Sequence, residues 1–318
     1  MEPSPVGTRG VDAVPHGKTA LRLEWKFLPP EVRSLVEDEL GSPVVRAESR
    51  TSGFTPGFAS VLTGENGRQT FVKAASKVAQ AQVAASYAEE IRKVSALGDV
   101  VPAARLEWFS QQQNWVLLGY EAVPSRQPRR PWNTSDLERC LDLAEEIAVP
   151  AADLPGGTQL VPLLDELPSL VSGWDSVPDS WPHRDEAAGL AAGLLTLPAE
   201  HLVHADLRDD NILLGADGRT LACDWNWPGL GTPWQDGLDL LVSAHGDGID
   251  AEAVLQRRPA LSGVDPDDVD AWLAGICGFM LEASQRPVPP TSPYLRVHNR
   301  WTAEAAWSWL ARRRGWTP

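Results

Sequence analysis

The stretch His201–Trp234 has the sequence HLVHADLRDDNILLGADGRTLACDWNWPGLGTPW. It contains the pattern H-x-D-x-x-x-x-N, formed by His204, Asp206 and Asn211. These residue types at this spacing are typical of a catalytic loop. The alternative is that Asp206 caps a turn and that Asn211 is a buried amide. A histidine in such a loop usually binds backbone carbonyl groups, so we expect His204 to support the loop rather than to touch a substrate.

A predicted β-hairpin follows this motif. Its two apolar runs, 212–214 and 221–223, flank an Asp-Gly turn, and Asp224 comes directly after the second run. Adjacent strands of one hairpin would bring Asn211 and Asp224 together, and oxygen ligands of this kind suit Mg²⁺. The Asp206 carboxylate could orient an acceptor hydroxyl and take its proton. Together these groups fit phosphoryl transfer, which needs an aligned acceptor and metal ions on the phosphate oxygens.

The segments HADLRDDN and DWN resemble the catalytic and metal-binding loops of the aminoglycoside phosphotransferase family, a relative of eukaryotic-type protein kinases. The family pattern is close to H-G-D-L-x-x-x-N followed by D-W or D-F. Ala205 replaces the usual Gly here, and Asp209 stands where Pro is common. The resemblance implies that Asp206 is the catalytic base and that Asn211 and Asp224 bind Mg²⁺.

The resemblance implies supporting roles for two more residues. Arg208 stands where protein kinases carry a lysine near the transferred phosphate, and an ion pair with Asp209 or Asp210 is at least as good an interpretation. The segment GTPWQDGLDLL resembles the family's region in which an aspartate caps a helix and braces the catalytic loop. We assign that structural role to Asp236, with Asp239 as the alternative.

The resemblance also implies a nucleotide-binding lobe for ATP, with a phosphate loop, a strand lysine and a helix glutamate in that order. The loop SGFTPGF contains Gly53 and Gly57, which permit close backbone approach. Lys73, in FVKA, corresponds to the lysine that contacts the α- and β-phosphates. Glu90 borders the buried face of the following predicted helix, so we choose it over Glu89 as the partner of Lys73.

The run WVLLGYEAVPSR resembles the family's hinge strand, where backbone groups bind adenine. The expected pair is the Glu121 carbonyl and the Val123 amide, and the alternative is an ordinary buried strand with a turn between lobes. We predict a flexible tail at 1–20, a nucleotide-binding lobe at 21–124 and a catalytic, substrate-binding lobe at 125–318.

Local patterns predict an α+β chain with an antiparallel sheet and one main helix in the first lobe and a mostly helical second lobe. The predicted strands are 43–47, 59–62, 69–74, 105–109 and 115–120. Asn66-Gly67 predicts a tight hairpin turn. The predicted helices include 30–40, 78–97, one opened by a capping box at 135–138, and an amphipathic C-terminal helix that packs on the second lobe.

Composition limits the kinds of partner. The chain of 318 residues carries a net charge of −15, which argues against nucleic acid and anionic membranes as partners. An acidic surface serves solubility or attracts a cationic substrate. Three widely spaced cysteines and no apolar leader segment favour a reduced, cytoplasmic protein.

These observations predict an ATP- and Mg²⁺-dependent O-phosphotransferase that acts on a small alcohol or amino alcohol. The alternative is a nucleotide-binding regulatory protein without catalysis; a protein kinase fits less well, because an A-P-E-like segment and a long activation loop are missing. Four acidic residues could bind an amine of the substrate or lie on the surface: Asp236, Asp239, Asp247 and Glu282.

Overall fold

The computed structural model describes residues 19–316. The predicted tail at 1–20 therefore lies outside the described residues except for Thr19 and Ala20. Both are buried, and their amides donate hydrogen bonds to the Thr51 carbonyl at 3.0 and 3.2 Å. The described residues form an α+β protein with two lobes, a sheet lobe and a helical lobe.

The first lobe contains a five-stranded antiparallel sheet with the order β1-β2-β3-β5-β4. Its strands are β1 (Val44–Ser49), β2 (Phe58–Gly64), β3 (Gln69–Ser76), β4 (Leu106–Ser110) and β5 (Trp115–Glu121). Each predicted strand is present, with bounds that differ by a few residues. The β2–β3 hairpin turns at Asn66-Gly67, and Gly67 has φ 79°, the left-handed conformation that this sequence favours.

Two helices cover the two faces of this sheet. Helix α1 (Pro30–Leu40) has the predicted bounds and ends at Gly41 in the left-handed conformation. Helix α2 (Ala81–Leu97) begins three residues after the predicted start and buries Tyr87, Ile91, Val94 and Leu97 as expected. Because side chains alternate along a strand, Val72 of β3 packs in the α1 cluster, and the opposite face meets α2. Lys73 therefore points towards α2.

The second lobe has five short strands and nine α-helices among the described residues. The strands are β6 (Ser125–Arg126), β7 (His201–Val203), β8 (Ile212–Gly215), β9 (Thr220–Ala222) and β10 (Gly229–Gly231). The helices are α3 (Thr134–Ile147), α4 (Leu163–Glu166), α5 (Ser169–Ser172), α6 (Arg184–Ala192), α7 (Gln235–Gly246), α8 (Ala251–Arg257), α9 (Pro259–Ser262), α10 (Pro266–Ser284) and α11 (Leu295–Arg314). Strand β7 pairs with β10, and β8 pairs with both β6 and β9.

The predicted capping box at the start of α3 is wrong. The helix begins at Thr134, and the Asn133 side chain accepts a hydrogen bond of 2.9 Å from the Asp136 amide. Asparagine is a good N-cap residue and comes earlier in the chain, so it takes the position that we assigned to Ser135. The Asp136 carboxylate is paired instead with Arg126 at 2.6 Å.

The helical lobe forms one continuous core. Its largest fully buried side chains are tryptophans: Trp174, Trp225, Trp272 and Trp309. The C-terminal helix α11 packs on this core, as predicted, and buries Trp301 and Leu310. Within residues 19–316, no helix is long and apolar enough to cross a membrane.

Candidate active site

The loop between β7 and β8 carries the H-x-D-x-x-x-x-N motif, and His204 lies fully buried at its start. The His204 Nε2 atom is 3.0 Å from the Cys223 carbonyl oxygen, and its Nδ1 atom accepts a hydrogen bond from the Asp206 amide at 3.3 Å. Burial lowers the pKa of His204 to about 4. A neutral ring with its proton on Nε2 satisfies both contacts. The expected contact with a backbone carbonyl is thus confirmed.

Asp236 braces the same loop from helix α7. Its carboxylate accepts hydrogen bonds from the His204 amide at 2.7 Å and the Ala205 amide at 3.0 Å. The two bonds fix a turn in which Ala205 has φ 64°, a conformation that glycine adopts more easily. The predicted brace is therefore present at Asp236. The accompanying expectation of a helix cap is wrong, because Asp236 lies inside the first turn of α7 and Trp234 occupies the N-cap position.

Asn211 holds Asp206 in place. The Asn211 Nδ2 atom donates to the Asp206 carbonyl oxygen at 2.9 Å and to Asp206 Oδ2 at 3.0 Å. Burial raises the pKa of Asp206 to about 6; the nearby Arg208 charge opposes this shift, and the carboxylates of Asp210 and Asp224 add to it. A carboxyl group with this pKa is ionised at neutral pH and basic enough to accept a proton from a hydroxyl group.

Arg208 lies between two carboxylates of the loop. Its Nε atom is 3.4 Å from Asp206 Oδ1 and 3.1 Å from Asp210 Oδ1. Its guanidinium group also lies 5.3 Å from the ring centre of Phe54. Phe54 belongs to the segment SGFTPGF at 52–58, which we call the glycine loop. Of the two ion pairs considered from the sequence, the one with Asp210 is present. The Asp209 carboxylate forms an ion pair with Arg130 instead, with 2.8 Å between Asp209 Oδ1 and Arg130 Nη1.

Lys73 lies at the centre of the cleft between the lobes. Its Nζ atom is 2.8 and 2.9 Å from the two Glu90 carboxylate oxygens, and it forms a direct ion pair with Asp224. The Tyr120 hydroxyl donates a further hydrogen bond of 2.7 Å to Glu90. Glu89 is on the surface and pairs with Arg92. The choice of Glu90 as partner of Lys73 is confirmed.

The β8–β9 hairpin brings Asn211 and Asp224 together. The Cys223 amide donates to the Asn211 carbonyl oxygen at 2.9 Å, which places Asp224 beside Asn211 at the open end of the hairpin. Asp224 has φ 63°. Burial would raise the pKa of Asp224, but the charge and hydrogen bond of Lys73 and the charges of Arg22 and Arg208 together outweigh it and hold that pKa below its ordinary value. An ionised carboxylate beside an amide oxygen is a donor set that fits Mg²⁺. In the described part of the chain, no cluster of three or more His, Cys, Asp or Glu side chains forms a further metal site.

A cavity of about 300 Å³ lies between the lobes, at the lower end of the range of small-molecule sites. Six of the predicted site residues line it: Lys73, Glu90, Glu121, Val123, Asn211 and Asp224. The glycine loop borders it through Ser52 and Thr55. Asp206 and Arg208 are not part of this lining, and they adjoin it through their contacts with Asn211 and Asp210.

The two glycines of the loop meet different constraints. Gly53 has φ 78°, in the left-handed region. At Gly57 a Cβ atom would lie 2.4 Å from the Tyr87 hydroxyl oxygen, so this position has no room for a side chain.

The hinge offers an unused backbone donor at Val123. Between residues 19 and 316, the Val123 amide makes no hydrogen bond, while the Val123 carbonyl accepts one from Ser125 Oγ at 3.0 Å. The Glu121 side chain points away to Arg219, at 3.1 Å.

Among the cavity residues that sequence reasoning missed are Arg22 and Tyr120, both of which make polar contacts at the site. Tyr120 directly precedes the predicted hinge, and its contact with Glu90 could have been suspected from the strand register. Arg22 lies outside every local pattern, and only the folded chain brings it to the cavity.

A sequence model described as the phosphotransferase enzyme family matches residues 52–275. The match extends from the glycine loop through the catalytic loop and into α10. The chain belongs to the phosphotransferase enzyme family. Membership confirms the resemblance found in the sequence, and it makes the protein a small-molecule phosphotransferase whose acceptor is a hydroxyl group. A search of curated protein sequences gives no match.

Solved structures of other phosphotransferases share the fold. A thermostable mutant of the aminoglycoside phosphotransferase APH(4)-Ia is 15% identical, with a TM-score of 0.58 over 90% of this chain and 100% of that chain. Choline kinase LicA from Streptococcus pneumoniae is 14% identical, with a TM-score of 0.58 over 87% and 99% of the two chains. Amicoumacin kinase hAmiN is 16% identical, with a TM-score of 0.52 over 88% and 94%. At these identities the similarity establishes the two-lobed kinase-like fold.

Proposed function

We propose that this phosphotransferase transfers the γ-phosphoryl group of ATP to a hydroxyl group of a small molecule, giving a phosphate ester and ADP. The observation that carries the proposal is the ion pair between Lys73 and Asp224. It joins the lysine expected to bind the α- and β-phosphates to the aspartate expected to bind the metal. Both line one cavity, and the Asp206 carboxylate adjoins it through Asn211.

In this proposal each polar group has a defined role. Asp224 and the Asn211 amide oxygen hold Mg²⁺, which neutralises charge on the phosphate oxygens. Lys73, held by Glu90, binds the α- and β-phosphates, and the loop with Gly53 and Gly57 covers them. Four polar contacts hold Lys73 and Glu90 in place without any ligand, so the site is preorganised.

The Asp206 carboxylate accepts the proton of the acceptor hydroxyl as the oxygen attacks phosphorus. Asn211 keeps this carboxylate oriented through its side-chain amide. Arg208, which lies beside Asp206, offers a positive charge near the transferred group, and its ion pairs also hold the loop in shape.

The hinge is proposed to bind adenine. The unengaged Val123 amide can donate a hydrogen bond, and the Glu121 carbonyl can accept one. Support for a nucleotide also comes from structural relatives, since APH(4)-Ia was solved with ADP and hygromycin B, and hAmiN with AMP-PNP and Ca²⁺.

The acceptor is proposed to be a hydroxylated small molecule, and the four acidic candidates differ in the oxygens they could offer to an amine on it. Asp236 accepts hydrogen bonds from the catalytic loop. Asp247 forms an ion pair with Arg130 at 2.6 Å, and Glu282 forms one with Arg286 at 2.7 Å. Asp239 differs, because one of its oxygens accepts from the Trp272 ring nitrogen at 2.9 Å and the other has no partner among the described residues. Asp239 therefore keeps an oxygen for an amine, and burial raises the pKa of this carboxyl well above its ordinary value.

We place the reaction in the cytoplasm. The three cysteines are free, and Cys140 and Cys277 are buried, which fits a reducing compartment that also supplies ATP.

The test is ADP release by the purified protein with ATP and Mg²⁺, across a panel of aminoglycosides, other hydroxylated antibiotics, amino alcohols and sugars. Acceptor-dependent release is expected with at least one class. Asp206→Asn should remove it while ATP binding persists, and Asp179→Asn, on an exposed surface residue, should behave as wild type. Full activity of Asp206→Asn would contradict the assigned base. ATP binding without release for any acceptor would favour a non-catalytic nucleotide-binding protein.

A further inference from the structure

The glycine loop is held in place by hydrogen bonds that its carbonyl groups accept. Among residues 19–316, every carbonyl from Thr51 to Gly57 except that of Thr55 accepts a hydrogen bond from outside the loop. The amides of the loop show the opposite pattern: those of Ser52, Gly53, Phe54, Thr55 and Gly57 donate to no group in the described chain. Consecutive unengaged backbone amides form a site for an anion.

The segment Thr19–Arg22 donates most of these hydrogen bonds. The Thr19 and Ala20 amides donate to the Thr51 carbonyl, and the Thr19 hydroxyl donates to the Gly53 carbonyl. On its other side, the Leu21 amide donates to the Thr291 carbonyl at 2.8 Å. The segment therefore lies between the glycine loop and the turn before α11, and contacts with both lobes hold it.

Arg22 donates two of these hydrogen bonds and also lines the cavity. Its Nη2 atom donates to the Ser52 carbonyl at 2.9 Å and its Nη1 atom to the Gly57 carbonyl at 3.2 Å. These two carbonyls lie at opposite ends of the loop, so one planar guanidinium group sets the distance between them. The Arg22 Nε atom is buried and has no partner in the described chain.

The charge of Arg22 acts on Asp224 and lowers the pKa of that carboxyl, but no carboxylate of the described chain pairs with Arg22 directly. Within residues 19–316, Arg22 forms no ion pair, whereas Lys73 faces two carboxylates and Arg126 faces Asp136. Arg50 also lines the cavity, but it is exposed, and solvent screens its charge. Arg22 is thus the half-buried cation of this cavity with charge left for a ligand, in a chain whose net charge is −15.

From this arrangement we propose that Arg22 is a positioning residue for the phosphate groups of the nucleotide. It holds the carbonyls of Ser52 and Gly57 away from the cavity so that the loop amides can face the phosphates, and its positive charge adds to their attraction. The inference rests on the proposed function in one respect, that the ligand of the cavity is a nucleotide. It adds a residue that lies before the span matched by the family model.

The experiment compares wild type with Arg22→Met, Arg22→Lys and Arg68→Met. Arg68 is a matched control, since it too donates to a carbonyl of the first lobe, that of Leu40 at 3.1 Å, but lies outside the cavity. The affinities for ATP, ADP and adenosine are measured by calorimetry, with thermal unfolding of each nucleotide-free variant. The loss of charge-assisted hydrogen bonds should weaken ATP and ADP about tenfold in Arg22→Met and leave adenosine unchanged.

Arg22→Lys keeps the charge and loses the two-pronged contact, so it should recover part of the ATP affinity. Arg68→Met should bind all three ligands as wild type does. An equal loss for adenosine and ATP, or no loss at all, would overturn the proposal, because a structural role would not distinguish the ligands. If Arg22→Met does not fold, the ratio of ATP to adenosine affinity in Arg22→Lys decides in the same way.

These measurements need no acceptor and no turnover. A wild-type protein that binds neither ATP nor ADP would refute the proposed function itself. A wild-type protein that binds ATP with Arg22→Met unchanged would refute only the role of Arg22.

Discussion

Lys73 and Asp224, 151 positions apart in the sequence, form an ion pair across the cleft between the two lobes. Glu90 binds the other side of the same ammonium group, so one lysine separates two buried or half-buried carboxylates. The triad carries one more negative than positive charge. A Mg²⁺ ion bound by Asp224 would change this net charge from −1 to +1, and for this reason we regard the triad as a site prepared for a cation and phosphates.

The first prediction concerns the free energy of unfolding in Lys73→Met. Lys73 and Glu90 are 5% and 1% exposed, and removal of one partner leaves a buried charge uncompensated. We expect a loss of about 3–5 kcal/mol at neutral pH. The double variant Lys73→Met/Glu90→Gln should be more stable than Lys73→Met, because glutamine can still accept from the Tyr120 hydroxyl.

Urea unfolding measures both values. Lys77→Met is the control, since Lys77 is exposed and only donates to the Gln111 carbonyl. If the double variant were less stable than Lys73→Met, the uncompensated charge of Glu90 would not be what destabilises the single variant.

The second prediction concerns Gly57→Ala. A Cβ atom at this position would lie 2.4 Å from the Tyr87 hydroxyl oxygen and 2.9 Å from Tyr87 Cζ, and the ring is buried. The loop must shift away from α2, which we expect to cost about 1–3 kcal/mol of stability and to weaken ATP binding. Calorimetry with ATP and thermal unfolding test this. Gly156→Ala should change neither, because nothing lies near its Cβ position.

The sequence predicted those site residues that follow a fixed order along the chain. Lys73, Glu90, Asp206, Asn211 and Asp224 are identified by strand, helix and hairpin patterns next to them, and the hydrogen bonds between them match that order. Their chemical roles stay predictions.

The sequence could not predict contacts made between distant segments. Arg22 reaches the glycine loop because its segment is held by Thr291, some 270 positions later in the chain, and no local pattern encodes that. From the sequence, Asp247 could bind an amine or lie on the surface, yet its side chain is buried against Arg130. The error at Asn133 is of another kind, because two good cap residues lie close together and the helix begins after the first of them.

The third prediction concerns Ala205, which has φ 64° in the braced turn of the catalytic loop. The left-handed conformation costs alanine about 1–2 kcal/mol, and glycine gives back part of this through its larger freedom in the unfolded chain. Ala205→Gly should therefore stabilise the protein by about 0.5 kcal/mol. The same substitution at Ala85, exposed in the middle of α2, should destabilise it by about 1 kcal/mol.

Chemical unfolding of the two variants provides the comparison. Opposite signs of the two changes in unfolding free energy would show strain at Ala205, since a general effect of glycine would lower both stabilities. A loss in Ala205→Gly as large as in Ala85→Gly would mean that the turn is not strained.

The fourth prediction concerns the ionisation of Asp206 in the protein without metal or nucleotide. Burial raises the pKa of Asp206 to about 6, Arg208 opposes the shift, and the Asp210 carboxylate adds to it. Carbon-13 NMR of labelled aspartate carboxyl groups should show a titration near pH 6 that is missing in Asp206→Asn. Arg208→Met should raise the pKa of Asp206, because a positive neighbour stabilises the carboxylate, and Asp210→Asn should lower it.

The activity should follow the same ionisation. Only the carboxylate form of Asp206 can accept the acceptor proton, so turnover should fall at acid pH as Asp206 becomes protonated. Arg208→Met should move this fall to higher pH and Asp210→Asn to lower pH, in the order of the NMR titrations. Shifts of the two variants in the same direction would show that the charges beside Asp206 do not control its protonation, and the base would then have to be sought elsewhere in the cleft.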